Sequence, residues 1–294
     1  MTTTADRLYV WSMRTLLVVM LIATLFPLYW MVRTALTVPS SIVSDPTSLL
    51  PPTFTWGNFA RVLGIVDTET AVELGGSGQA FQFFRYLLNT IVVAALITAG
   101  QVLFSSLAAY AFARLKFPGR DTLFTIYLAA LMIPVIITVI PNYLLVRSFG
   151  WINTYQGIVA PFFLMTPFAV FFMRQFFLGI HRELEESALL DGAGRLRILW
   201  RIILPISKSP MVIVALITFT NSWNEYLWML IVGRDHAVRV LTVAMGVFQA
   251  QTPQGAPDWG GLMSGAVLSA LPVLVLFMFT GRHLVNSIGH TGIK

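Results

Sequence analysis

The chain contains no cysteine. Disulfide frameworks, thiolate metal sites and cysteine nucleophiles are therefore excluded. Charge is scarce as well: Asp, Glu, Lys and Arg make up 11% of its 294 residues, against 56% hydrophobic ones, and the mean hydropathy is +0.77. A soluble domain of this length needs more charge to cover its surface. A lipid bilayer is the solvent that fits this balance. The sequence has no G-x-x-x-x-G-K-[ST] loop, which excludes ATP binding by that route, and no G-x-S-x-G nucleophile elbow. Its four histidines, His181, His236, His283 and His290, are scattered without metal-ligand spacing. The formal charge of +6 comes with no DNA- or RNA-binding signature, so no nucleic-acid partner is expected. No short-period repeat of the solenoid kind is present.

What is present is a series of long apolar runs. A bilayer core is about 30 Å thick, so a spanning helix needs roughly 20 mostly apolar residues. Six stretches qualify: Arg14 to Arg33, Arg85 to Arg114, Asp121 to Arg147, Arg147 to Arg174, Lys208 to Arg234, and Asp258 to Arg282. They place spans at 12–34, 86–113, 121–146, 153–175, 209–232 and 261–283, within one transmembrane domain covering 1–294. The runs are continuously apolar without two-residue alternation, so helices rather than a barrel are expected. The fold class read from the sequence is thus an all-α integral membrane protein with six transmembrane helices. The first run, Thr15 to Val32, is long for a signal peptide. Pro27, Tyr29 and Trp30 stand where a small-residue cleavage pattern belongs, so a retained helix is expected.

Lys and Arg set the orientation. With the N-terminus inside, the inner side collects Arg7, Arg14, Arg114, Lys116, Arg120, Arg174, Arg182, Arg195, Arg197, Arg201, Lys208, Arg282 and Lys294, which is 13 of the 19 basic residues. Both termini then lie in the cytoplasm. Residues 37–84 form an extracytoplasmic loop with Pro39, Pro46, Pro51, Pro52 and a Gly75-Gly76-Ser77-Gly78 turn. A short helix is expected over 56–63, in a loop that serves either as a solvated connector or as a partner-binding element.

The inner loop, 181–207, reads as helix, turn, helix. Glu183, Glu185 and Glu186 occupy the first turns, where acids complement the helix dipole. Gly192 and Gly194 permit a tight turn. Leu196, Leu199, Trp200 and Ile203 recur at three- and four-residue spacing and give one apolar face. Pro205 is expected to stop the second helix. An interfacial helix and a plug for a cytoplasmic partner both fit this amphipathicity.

The spacing resembles the EAA loop of bacterial ABC-importer permeases, whose pattern is E-A-A, three residues, Gly, nine residues, Ile-x-Leu-Pro. Glu186, Ser187 and Ala188, then Gly192, then Ile202, Leu204 and Pro205 match it, with Ser187 replacing the middle alanine by another small residue. Asp191 lies in the same stretch. Further segments resemble carbohydrate permeases: Ala108 to Arg114 with Phe117 to Arg120, Met132-Ile133-Pro134 with Ile140-Pro141, and Trp223-Asn224-Glu225. The tail resembles the smaller maltose-type (MalG-like) subunit, in Ser269-Ala270-Leu271-Pro272 and Thr291-Gly292-Ile293-Lys294. This resemblance implies a subunit of a sugar importer in the bacterial cytoplasmic (inner) membrane. It implies that Glu186 and Gly192 are central to a joint with an ATPase subunit, and that His290 to Lys294 lie near the ATPase pair. The implied partners are a second, larger (MalF-like) permease, two ATP-binding-cassette subunits and an extracytoplasmic solute-binding protein. The substrate class implied is a maltose- or trehalose-like oligosaccharide or related glycoside, with glycerol phosphate also open. No cofactor or catalytic residue is expected in the chain, since ATP would be bound by the partner subunits.

Glu225 is the one acid inside a span, and burying it ionised is costly unless it is paired or wetted. It lies about 16 residues beyond Ser209, roughly 24 Å along a continuous helix. Thr218, Asn221 and Glu225, with Asn224 and Trp228 adjoining, form a polar and aromatic stripe. Two readings stay open: a lining or gate of the solute pathway, and an interhelical hydrogen-bond cluster. An ion-coupled secondary transporter using Glu225 as relay is the alternative function. Asn89, Gln101, Ser105 and Ser106 are expected to join helices. Pro134, Pro141, Pro161, Pro167 and Pro272 are expected to bend them.

Overall fold

The structure, a computed structural model, describes residues 4–76, 81–249 and 257–289. Ser77 and Gly78 of the expected turn, and His290 to Lys294, lie outside the described residues. The regular elements among the described residues are all helices, and an isolated antiparallel bridge joins Thr37 and Phe54.

Among the described residues, three helices are long and apolar enough to cross a membrane: α1 (Thr4–Ala35), α5 (Phe83–Arg114) and the final helix, Trp259–Gly289. Between α1 and α5 lie the short helices α2 (Pro39–Ser44), α3 (Gly57–Leu63) and α4 (Thr68–Glu73). Three bent pairs meet the same test if each counts as one passage, giving up to six spans. The first pair is α6 (Arg120–Ala129), extended by a 3₁₀ turn to Met132, and α7 (Val135–Ser148), at 98°. The second is α8 (Tyr155–Phe163) and α9 (Pro167–Leu178), at 44°. After α10 (Glu183–Leu190) comes the third, α11 (Arg195–Ile206) and α12 (Lys208–Asn224), at 80°.

The bends have local causes. A residue that precedes proline is driven out of the helical region by the pyrrolidine ring. Ile133, before Pro134, is extended at φ −84°, ψ 116°. Thr166, before Pro167, is extended at φ −109°, ψ 149°, and its hydroxyl accepts from the Ala169 N–H at 3.4 Å. Pro141, Pro161 and Pro272, by contrast, sit inside helices that continue past them. The five prolines therefore do not act alike. Pro205 also departs from expectation, because α11 runs one residue beyond it to Ile206 and the break falls at Ser207.

The fifth expected span, 209–232, is interrupted. Helix α12 ends at Asn224, Glu225 turns extended at φ −65°, ψ 124°, and α13 (Leu227–Val232) starts anew. Glu225 is therefore at a break and not along a continuous helix.

The chain divides into two compact units, Met1–Phe84 with Ala244–Pro272, and Arg85–Val243 with Val273–Lys294. Within the first, the expected short helix forms as α3 and is packed rather than solvated. Arg61 pairs with Asp258 at 2.5 Å, their side chains 4% and 1% exposed. Arg61 also donates to Asn58 Oδ1 at 2.7 Å, and Asn58 donates to the carbonyls of Ala35 and Thr37. This buried network ties the loop after α1 to the start of the final helix.

Within the second unit, two apolar clusters carry the packing. One gathers Tyr110, Phe112, Phe124, Met173 and Phe177 with Ile198, Leu199 and Ile203. The other gathers Ile97, Val146 and Ile158 with Trp228, Met229 and Val232. The polar residues of α5 largely join helices, as expected. Asn89 donates to the carbonyls of Ala237 and Arg239 and accepts from the Tyr155 hydroxyl at 2.6 Å. Ser105 accepts from the Thr166 N–H, while Ser106 bonds within its own helix to Val102 O.

Removing one partner of a buried ion pair strands the other charge, at a typical cost of about 3–5 kcal/mol. Arg61→Leu is therefore expected to lower the thermal unfolding midpoint sharply. Arg61→Leu with Asp258→Asn is expected to recover part of that loss, since no lone carboxylate remains.

Candidate functional site

Residues 181–207 form a helical elbow. Helix α10 ends in a Schellman turn, in which the Gly192 N–H donates to Leu189 O at 3.0 Å and the Ala193 N–H to Ala188 O at 2.9 Å. This closure needs a left-handed residue at 192, and Gly192 sits at φ +78°. A side chain added there meets nothing within 4 Å, so the demand for glycine is purely conformational. Gly194 then starts α11 from extended backbone.

Two acids that adjoin in sequence have opposite fates. Glu186 is exposed with Ser187, whereas Glu185 is buried. Glu185 Oε1 lies 2.9 Å from Arg114 Nε, with side chains 6% and 3% exposed, and Oε2 lies 3.8 Å from Arg195. The Tyr110 hydroxyl approaches Glu185 at 3.4 Å. Arg114 in turn donates to the carbonyls of Phe177 and Ile180, both at 2.5 Å, satisfying acceptors at the end of α9. One guanidinium thus joins the end of α5, the end of α9 and the first turn of α10. The sequence pattern singled out Glu186 and missed Glu185. The apolar spacing of α10 carries no signal for an ion pair formed across the fold.

The second half of the elbow also differs from a single apolar face. Ile198, Leu199 and Ile203 are buried, while Leu196 and Trp200 are 67% and 52% exposed. Residues Leu199–Ile203 form a π-helical turn, which adds a residue to the turn and alters the phase of the side chains. Among the remaining motif positions, Leu204 is buried, Ile202 and Ala188 pack against the same core, and Asp191 and Pro205 are exposed. At the turn, Leu190 is 90% exposed. The elbow therefore presents Leu190, Glu186, Leu196 and Trp200 outward from a base held by buried contacts.

A second feature of the same unit is a cavity of about 500 Å³ lined by Gln101, Thr166, Thr218, Asn221, Ser222 and Glu225 beside Phe162, Phe168 and Ile217. Three of the four residues expected to form the polar stripe reach it: Thr218, Asn221 and Glu225. Asn224 does not line it, and donates instead to Thr220 O at 2.8 Å. Gln101 both joins helices and faces the cavity, donating to Phe162 O at 2.8 Å and accepting from the Thr218 hydroxyl at 3.1 Å. Glu225 Oε1 accepts the Trp228 N–H at 3.0 Å. No Lys, Arg or His lies within 4 Å of its carboxylate among the described residues, and none lines the cavity. Thr166 and Ser222 were not anticipated. Thr166 had a readable signal, since Thr before Pro marks a helix start. Among the described residues no group of three His, Asp or Glu side chains is arranged to hold a metal ion.

Long apolar helices, with a surface elbow and a polar cavity in the second unit, suit a membrane transport component. The sequence comparisons specify the family. Residues 101–290 match the binding-protein-dependent transport system inner membrane component family. The chain belongs to that family, and is a multi-pass membrane protein. It is 31% identical over 282 residues to the trehalose/maltose transport system permease protein MalG of Thermococcus litoralis, covering 94% of each chain. It is 30% identical to the sn-glycerol-3-phosphate transport system permease protein UgpE of Yersinia pestis, covering 93% of each. It is also 32% identical to the arabinooligosaccharides transport system permease protein AraQ of Bacillus subtilis, covering 78% of each. In fold, it superposes with TM-score 0.80 and 20% identity on a chain of a bacterial ABC transporter involved in the import of the acidic polysaccharide alginate, covering 96% of this chain and 98% of that one.

Glu185→Ala would leave Arg114 buried and unpaired, at about 3–5 kcal/mol. The expected result is faster hydrogen exchange across 181–207 with unchanged protection in the middle of α5. Unchanged exchange in the elbow would remove the ion pair from its role as a strut. Gly192→Ala is expected to cost about 1–2 kcal/mol, the strain of a left-handed alanine, read as a smaller rise in exchange at 188–194.

Proposed function

We propose that this chain is one of two transmembrane subunits of an ATP-driven importer for a neutral sugar or glycoside delivered by a solute-binding protein. The observation that carries the reading is the elbow: a motif-bearing surface, Glu186 to Gly192, braced from beneath by Glu185 and Arg114. A helix pair so held transmits displacement, whereas a slack loop absorbs it. ATP-driven closure of two separate ATPase subunits would act on the exposed face at Glu186, Ser187, Leu190, Leu196 and Trp200. Ala188, Gly192, Ile202, Leu204 and Pro205 would keep that face in shape, with Asp191 at the turn. Six passages, at 12–34, 86–113, 121–146, 153–175, 209–232 and 261–283, would place both termini and 181–207 in the cytoplasm, and 37–84 outside. A second, MalF-like permease would complete the pathway.

Thr218, Asn221 and Glu225 would line that pathway with Gln101, while Asn224 stands aside. Among the described residues, Glu225 is the one charged group on the cavity wall and lacks a cationic partner there. A phosphate or uronate about 6 Å away would be repelled by about 1–3 kcal/mol at an effective dielectric between 20 and 40. Hydroxyls and amides have no such conflict, which supports an uncharged glycan over glycerol phosphate or an acidic polysaccharide. Family membership argues against the ion-coupled alternative.

The coupling assignment is tested by Glu186→Lys and Gly192→Val in the importer purified with its ATPase subunits and reconstituted into vesicles. Loss of ATPase retention or of ATP-dependent uptake, with the permease still folded, is expected. Full retention and uptake in both variants, or uptake by the lone chain driven by an ion gradient, would overturn it. For selectivity, Glu225→Gln keeps an acceptor for Trp228 but removes the charge. It is expected to raise uptake of an anionic glycan relative to a neutral one by about tenfold, measured by competition.

A further inference from the structure

The last turn of α1 holds a cation without a counter-charge. Arg33 is 3% exposed. Its guanidinium carbon lies 5.1 Å from the centre of the Trp30 ring, its Nη2 makes only a long 3.4 Å bond to Asp45 O, and its Nε has no hydrogen-bond partner. No carboxylate lies within 4 Å of it among the described residues. The carbonyl end of a helix favours a cation, but a helix end and a ring face do not replace an anion for a guanidinium taken out of water.

Arg33 lies on the wall of a groove of about 460 Å³ that it shares with Trp30, Thr34, Ile42, Trp259 and Met263. Among the described residues, no acidic side chain lines this groove. Its depth in the membrane follows from the helices that build it. Trp30 closes the apolar run Tyr9–Ala35, of which no part of the most apolar stretch is buried, and Trp259, 43% exposed, opens the apolar run Trp259–Gly281. Tryptophans at the ends of apolar spans mark the level of lipid headgroups.

We infer that this groove binds the headgroup of an anionic phospholipid, with the phosphate on Arg33 and the start of the acyl chains against Ile42 and Met263. A phosphodiester supplies the acceptors that the guanidinium lacks, in the planar geometry it prefers. A zwitterionic headgroup would bring an ammonium for which the groove has no acid. A polar partner chain would leave the apolar wall unmatched, whereas a lipid satisfies both parts.

The test is native mass spectrometry of the full chain, purified with whatever subunits accompany it, after exchange into defined mixtures of phosphatidylglycerol and phosphatidylcholine. Wild type is expected to retain phosphatidylglycerol in preference to phosphatidylcholine by about fivefold, the advantage of one arginine at a lipid surface. Arg33→Gln is expected to lose that preference and Arg33→Lys to keep most of it. Inorganic phosphate in large excess over the lipid should not displace it, because the free ion has no acyl chain to lay against Ile42 and Met263. Equal retention of the two lipids by wild type overturns the proposal without recourse to any variant. Displacement by inorganic phosphate, or a Gln variant that keeps its lipid but sheds a companion subunit, would also overturn it, the latter making the groove a subunit contact.

Discussion

The second unit is organised around one guanidinium. Arg114 ends a long helix that carries no other charge after Arg85, and it lies where three groups on two other segments need a partner. The carbonyls of Phe177 and Ile180 need a donor, and Glu185 needs a positive charge. Desolvation makes each of these groups expensive alone and cheap together. That mutual dependence holds the elbow at a set angle to the helices above it, without relying on the turn at Gly192 for stiffness. It also separates labour between neighbours in sequence. Glu185 faces in and holds the joint, while Glu186 faces out and remains available to another protein.

The cavity arises from interruptions in helices rather than from their regular parts. Thr166 reaches it because Pro167 forces extended backbone just before α9. Glu225 reaches it because α12 ends at Asn224 and the chain turns before α13 begins. Broken helices within a membrane release backbone polar groups that lipid cannot satisfy, so such breaks persist where protein or water meets them. Here side chains do much of that work, with Glu225 receiving the Trp228 N–H and the Thr166 hydroxyl receiving that of Ala169. The same devices that keep the breaks stable place polar groups on the cavity wall.

The first unit solves a different problem. Its loop between α1 and α5 holds only short helices, and Asn58, Arg61 and Asp258 knit it into a buried polar network. Arg33, close by in sequence, has no comparable acid. The contrast between one paired and one unpaired arginine in a single unit is what directs attention to lipid at the groove beside Trp30.

The membrane setting, the helical class, the positions of the apolar runs and the motif from Glu186 to Pro205 were all determined by the sequence alone. These properties depend on composition and on spacing along one strand of chain, which need no knowledge of distant contacts. The tertiary structure decided which of two adjacent glutamates is buried, and it separated Asn224 from Thr218, Asn221 and Glu225. It likewise chose Pro134 and Pro167 as sites of sharp bends while Pro141, Pro161 and Pro272 stayed within helices. The physical reason is that the burial of Glu185 rests on Arg114, a partner far away in the chain that leaves no mark in the local pattern of apolar and polar residues. Asn224 leaves the stripe because α12 ends there and the chain turns extended at Glu225, a break that a continuously apolar run does not announce.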